Sequence, residues 1–240
     1  MALEILPLRI GGAAENMALD FLLLQRYPRA ATPRFRHYGW RGPAFTFGYA
    51  QKIAAVRLAL PAGMTLDVCR RPTGGGIVDH RHDWTYTLVI PRGHPLEEVP
   101  ATQSYRAVHA ALAAALRAQG VPAQLQPAAE VAAASPASAA NAGVCFQRAE
   151  THDVVRENDG TKIAGAAQKR NKRGLLFQGS IWRPAAGPAV DWEKFHDDFA
   201  AQLAAMLGTT AEPVPWPEFN EDEVNGLTEQ YSAPEWLESR

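Results

Sequence analysis

The chain has 240 residues, 47% hydrophobic and 20% charged, a composition that supports a buried core and excludes a disordered chain. Its 24 basic and 25 acidic residues leave a net charge of −1, so no global electrostatic pull draws it to nucleic acid or an anionic membrane. There is no apolar run of the roughly 18 residues a bilayer span needs, and residues 1–12 lack the order of a secretion signal, which predicts a cytoplasmic protein. The two cysteines, Cys69 and Cys145, have neither the number nor the spacing of a disulfide framework or a metal knuckle, and are expected as reduced thiols.

In chain order, residues 15–25 predict a helix with Asn16 as its cap and Met17, Leu19, Phe21, Leu22 and Leu24 on its apolar side. Strands are predicted over 34–38, where Phe35 and His37 alternate with Arg34, Arg36 and Tyr38, and over 44–49, 67–71 and 84–90. An Ala-rich helix over 104–119 ends at Gly120, and 124–143, dominated by Ala, Pro, Ser and Asn, predicts a surface loop. Residues 153–156 and 161–164 read as a hairpin turning at Asp159-Gly160, followed by a strand over 175–182. Helices are predicted over 192–207 and 221–236. Strands and helices do not alternate regularly, and no linker or repeat divides the chain. The fold class expected is α+β, with mixed, largely antiparallel sheets flanked by helices, in one domain over 1–240.

Three segments carry chemistry. Arg70-Arg71-Pro72-Thr73-Gly74-Gly75-Gly76 places three glycines where a ligand can approach the backbone, after two arginines able to meet a carboxylate or phosphate. It is neither a P-loop nor a dinucleotide fingerprint, and a turn or bulge is the commoner use of such a run. Lys162 precedes the small residues Ala164, Gly165, Ala166 and Ala167, so a strand lysine can point into a narrow pocket and polarise a carbonyl; the plainer reading is a solvated lysine before a basic turn. Cys145 follows the Ala-rich stretch, where a thiolate would have access, whereas Cys69 sits inside an apolar strand. His80, His82 and His94 lie near Asp79 and Asp83, but on a strand Arg81 would sit between His80 and His82 and its charge repels a cation, so no metal site is expected.

Taken together, Asn16-Met17-Ala18-Leu19-Asp20, Phe47-Gly48-Tyr49-Ala50-Gln51, the glycine segment running to His80, Asp83-Trp84-Thr85-Tyr86-Thr87, the Lys162–Arg170 stretch with Gln178-Gly179-Ser180-Ile181, and Tyr231 with Trp236 resemble the biotin/lipoate protein ligase and octanoyltransferase family. The resemblance covers nearly the whole chain, and the motifs stand in the family's order. Cys145-Phe146, ahead of the lysine strand, resembles the branch with a cysteine nucleophile. Two departures stand out: Phe177 precedes Gln178-Gly179 where that branch often has Gln-His-Gly, and Trp84-Thr85 follows His82-Asp83 where the ligases often have Gly-Asn.

The resemblance implies an acyltransferase of protein lipoylation. Cys145 would take an octanoyl or lipoyl group from a thioester, and Lys162 would supply charge to the thiolate or the carbonyl oxygen. Arg71, Gly74, Gly75, Gly76, Val78, His80, Gly165, Ala166 and Ala167, with Tyr38, would bind the acyl chain, and His80 is a candidate base for the acceptor amine. The donor would be acyl carrier protein or an acylated lipoyl domain. The acceptor would be a lipoyl domain of a glycine-cleavage or 2-oxoacid dehydrogenase protein. Thioester exchange requires no cofactor, while the alternative, a lipoate ligase core lacking its accessory domain, requires ATP and Mg. A non-catalytic acyl- or carrier-binding paralogue is the reading from outside the enzymes. Neither nucleic acid nor membrane is expected as a partner.

Overall fold

The computed structural model of the chain describes residues 2–128 and 148–239. Eight strands form one mixed sheet in the order β11-β1-β2-β6-β10-β9-β8-β7. These are β1 (Leu3–Gly11), β2 (Arg34–Trp40), β6 (Asp83–Pro91), β7 (Ala123–Leu125), β8 (Val154–Arg156), β9 (Lys162–Asn171), β10 (Gly174–Trp182) and β11 (Ala211–Pro213). β1 runs parallel to both β2 and β11; from β2 to β7 every pairing is antiparallel. A second sheet, β4-β3-β5, is built from β3 (Ala44–Phe47), β4 (Asp67–Arg70) and β5 (Ile77–Asp79).

Strand alternation divides the large sheet into two faces. Phe35, Leu88 and Phe177 are in register across β2, β6 and β10, and are fully buried. On this face they pack with Trp84, Tyr86 and Ile181 against α4 (Ala101–Ala118) and α6 (Trp192–Met206), which supply Val108, Leu112, Leu116, Phe195, Phe199 and Leu203. Trp84 meets Phe195, and Tyr86 meets Phe199, edge to face, an arrangement that aromatic quadrupoles favour. Two polar rows cross the opposite face: Tyr38, Thr85, Ser180 and Gly165, then Arg36, Thr87, Gln178 and Ala167. α1 (Ala13–Gln25) covers this face, backed by α7 (Glu221–Ser232) and the turn α8 (Pro234–Leu237), and the small sheet packs beside it. Short helices α2 (Ile53–Ala59), α3 (Pro95–Glu98) and α5 (Arg183–Ala186) complete the described elements.

Several expectations change. Asn16 does not cap α1. Gly12 does: its N–H donates to Glu15 Oε2 at 3.3 Å, and Ala13 N–H donates to Asp67 Oδ2 at 2.6 Å. Asn16 instead lies buried within the helix and donates to the Gly39 carbonyl at 3.1 Å. β1 was not foreseen, because its sequence LEILPLRIG lacks clean alternation. The loop expected over 124–143 begins as strand β7, and its part from 129 onward lies outside the described residues. The last helix breaks at Ala233, before Pro234. His80, Arg81 and His82 occupy a turn between β5 and β6 rather than a strand, so their side chains do not alternate. Among the described residues no helix is long and apolar enough to cross a membrane.

Candidate active site

The polar face of the large sheet, α1 and the small sheet enclose a narrow cleft. Its lining includes Tyr38, Arg71, Gly75, Val78, His80, Lys162, Gly165, Ala166 and Ala167, so residues from three separate sequence segments converge on one cavity. Gly74 and Gly76 are not in the lining. They act through their carbonyls, which accept from Arg71: Nη2 donates to Gly74 O at 2.6 Å and to Gly76 O at 2.9 Å. The guanidinium expected to meet an anion is thus turned onto its own glycine loop. Arg70 is likewise committed to main-chain carbonyls, donating to Tyr49 O, Gln51 O, Trp236 O and Leu237 O at 2.6–3.0 Å. Gly75 adopts a φ of +89°, the left-handed conformation that favours glycine.

Sequence reading missed Met17, Trp40, Thr46, Thr85, Gln178, Gly179 and Ser180, all of which line the cleft. The period of two in β10 was the available signal, because it puts Gln178 and Ser180 opposite Phe177. Phe177 faces the core, and the Gln178 amide spans the cleft wall, accepting from Thr73 Oγ1 at 2.7 Å and donating to Asp20 Oδ2 at 2.6 Å. His80 is fixed at both nitrogens, with Nδ1 2.7 Å from Asp83 Oδ2 and Nε2 2.8 Å from Thr46 Oγ1, while Trp40 stacks on the ring at 4.0 Å. Because a carboxylate only accepts, Nδ1 carries the hydrogen.

Lys162 is not the free cation expected of it. Its Nζ lies 2.7 Å from Asp153 Oδ2 and donates to the Arg148 carbonyl at 3.3 Å. Cys69 is buried and its thiol faces the Tyr231 carbonyl; burial pushes its pKa far above the ordinary range, which removes it as a nucleophile. Cys145 and Phe146 lie outside the described residues.

The family model of the lipoyl protein ligase A/B catalytic domain matches residues 12–183, which include α1, both sheets' site strands and the cleft. The chain belongs to the lipoyl protein ligase A/B catalytic-domain family. Curated relatives include octanoyltransferase LipM of Kyrpidia tusciae, 29% identical over 94% of each chain. Octanoyltransferase LipM of Geobacillus kaustophilus is 36% identical over 70% of this chain and 60% of its own length. The fold is that of lipoate-protein ligase A bound with ATP (TM-score 0.72, 17% identity, 98% of each chain). It is also that of a bi-partite lipoate protein ligase from Thermoplasma acidophilum (TM-score 0.71, 17% identity, 98% of this chain and 95% of that one).

Behind the cleft of this lipoyl-ligase fold, His37 stacks flat on Trp84 at 4.1 Å and donates from Nδ1 to the Thr85 carbonyl. Burial, the largest influence, lowers its pKa to about 4. The unfolded chain takes up this proton near pH 6.5 and the folded chain only near 4. The His37 contribution to stability is therefore full above about pH 6.5 and falls as pH drops toward 4. Chemical denaturation between pH 7 and 4 should show His37→Gln losing about 2–3 kcal/mol less than the parent chain; equal slopes would refute the assignment. His109, fully buried and also lowered by burial, contributes in the same direction and remains in both chains.

Proposed function

We propose that the chain is an octanoyltransferase of protein lipoylation that carries the acyl group on Cys145 and passes it to a lysine of a lipoyl domain. The observation that supports this best is the convergence of Lys162, the glycine loop and the small residues Gly165–Ala167 on one narrow cleft, in a chain that aligns over 94% of its length with octanoyltransferase LipM of Kyrpidia tusciae. The alignment with some of those relatives spans only about 60% of their length.

The cleft suits an extended acyl chain. Among its polar lining groups, Gln178 bonds to Thr73 and Asp20 behind it, and Ser180 and Thr85 to Asp83, so these three are already satisfied when an apolar chain displaces water. Burying six or seven methylenes there yields roughly 5 kcal/mol. The Cys145 thiolate attacks the donor thioester and expels the carrier thiolate. The acceptor lysine, as free amine, then attacks the enzyme thioester and expels Cys145, forming the more stable amide. One thioester replaces another in the first step, so the sequence of steps requires no ATP. The donor is an acylated carrier protein or lipoyl domain, and the acceptor a lipoyl domain.

Intact-protein mass spectrometry tests this. Mixed with octanoyl-carrier thioester and no ATP, the chain should gain one octanoyl group that hydroxylamine removes and Cys145→Ala lacks. Acylation of a lipoyl domain from free octanoate only with ATP would identify a ligase, and neither reaction a binding protein. The cleft assignment has its own test. Ala167 is buried, and its Cβ lies only 3.9 Å from where a side chain on Gly75 would begin. Ala167→Leu should cut octanoyl transfer about 10-fold or more while sparing a butanoyl donor, since about 0.8 kcal/mol is forfeited per methylene excluded. Unchanged chain-length preference would place the acyl chain elsewhere.

A further inference from the structure

Lys162 reaches the cleft through an irregularity in the sheet. In the β8–β9 pairing Val154 faces Ala164 and the next residue, Val155, faces Lys162, so Ile163 is one residue too many on β9. In a regular strand Lys162 and Gly165, three apart, would point to opposite faces; the extra residue puts them on the same one. A Cβ on Gly165 would lie 2.9 Å from Lys162 Cε and 3.0 Å from Asp153 Oδ1, so glycine is what lets the ion pair sit against the strand. Asp153 and Lys162 are both more than nine-tenths buried, and Lys162 lines the cleft. Asp153 Oδ2 also accepts from Glu150 N–H at 2.7 Å, and the neighbouring residues are stitched to the end of β7: His152 N–H donates to Gln126 O, and Gln126 N–H to Asp153 O.

We infer that Asp153 is the positioning residue of Lys162: the charge of its carboxylate, 2.7 Å from Nζ, together with the hydrogen bond to the Arg148 carbonyl, holds the ammonium against the cleft wall. An ammonium is a rotating head at the end of a flexible stem, so a fixed counter-charge and a fixed acceptor define where it sits. That place is what a reacting carbonyl or thiolate meets. The carboxylate also offsets the lysine's charge, so Lys162 acts as an aimed hydrogen-bond donor more than as a net positive field. The inference rests on the octanoyltransferase reading for its kinetic consequence but not for its geometry.

Asp153 has two duties on one oxygen, Oδ2, as counter-charge to Lys162 and as acceptor for Glu150 N–H; Asp153→Asn removes the charge and keeps the acceptor. With octanoyl-carrier thioester and a lipoyl domain, its kcat should fall about 10–100-fold while KM for the donor stays within about twofold. Asp153→Ala, which loses both duties, should be at least as impaired. If Asp153→Asn turns over like the parent and only Asp153→Ala is impaired, Asp153 is a tether and the inference is overturned. Should Asp153→Asn not fold, Gly165→Ala decides: its methyl displaces the ion pair without removing it, and an unaltered kcat overturns the inference. A readout independent of turnover is the rate at which an amine-reactive reagent labels Lys162, followed by peptide mapping with Lys52, Lys172 and Lys194 as references. Release from Asp153 should raise Lys162 labelling several-fold in Asp153→Asn and leave the references unchanged; no rise overturns the inference. An inactive parent chain would refute the octanoyltransferase reading, and the labelling result would still decide the role of Asp153.

Discussion

Gly48→Ala is expected to slow octanoyl transfer about 100-fold and to destabilise the chain, although Gly48 does not line the cleft. A Cβ at this position would lie 2.0 Å from the Gly75 carbonyl oxygen and 2.7 Å from the Gly74 carbonyl carbon, main-chain atoms that cannot rotate away. The end of β3 and the glycine loop are also stitched together, with Gly48 N–H on Gly76 O at 3.2 Å and Tyr49 N–H on Thr73 O at 2.8 Å. Relieving the clash therefore moves Gly75, which forms one wall of the cleft, and the carbonyls that hold Arg71. Overpacking of this kind costs about 1–3 kcal/mol, and misplacing the wall by an ångström costs about 100-fold in rate. Urea denaturation and the octanoyl-transfer assay read the two effects. A variant with parental rate would mean that the glycine loop does not shape the acyl site.

Arg36→Ala carries the largest expected loss of stability. Arg36 and Asp20 are wholly buried, with Nη2 2.6 Å and Nε 2.8 Å from Asp20 Oδ1, and Nη2 also donates to the Asn16 carbonyl. Removing the guanidinium leaves a carboxylate in the interior with no compensating cation in this pair, at about 3–5 kcal/mol. The loss reaches the cleft, because Asp20 Oδ2 accepts from Gln178 and the guanidinium lies 4.0 Å over the Tyr38 ring. Replacing both partners, Arg36→Met with Asp20→Leu, should recover most of the stability, since two apolar side chains leave no charge stranded. Equilibrium unfolding of the two variants beside the parent checks this, and a loss below about 1 kcal/mol in Arg36→Ala would show that water reaches the pair.

Contiguous features were legible in the sequence. The glycine run, the lysine followed by small residues, and strands such as β6 with its unbroken β-formers declare themselves within ten residues. The α+β class followed from their irregular order. Pairings between distant residues were not legible. Arg34 and Arg36 read as the polar side of β2, yet both are buried, because α1 supplies Asp20 to one and the Leu23 carbonyl to the other. Asn16 looked like a cap because its type favours caps, but Gly12 and Asp67 satisfy the helix start and leave Asn16 free to bridge α1 to Gly39. The register shows that Gln178, not Phe177, is the residue that faces the cleft. The extra residue at Ile163 has no compositional signature, so the shared orientation of Lys162 and Gly165 appears only in the pairing of β8 with β9.

The position of β1 has a kinetic consequence. The strand lies between two parallel partners, one beginning at Arg34 and the other formed by Ala211–Pro213. The neighbouring pair β9 and β10, by contrast, is joined by a two-residue turn and can close early. Contacts between residues more than 200 positions apart repay their entropy only after most of the intervening chain is ordered. The inner strands therefore condense first and the seam between β1 and β11 zips last. On unfolding, that seam is where the molecule starts to come apart, on the side away from β8 and β9, so the pairing that aims Lys162 outlasts the edge.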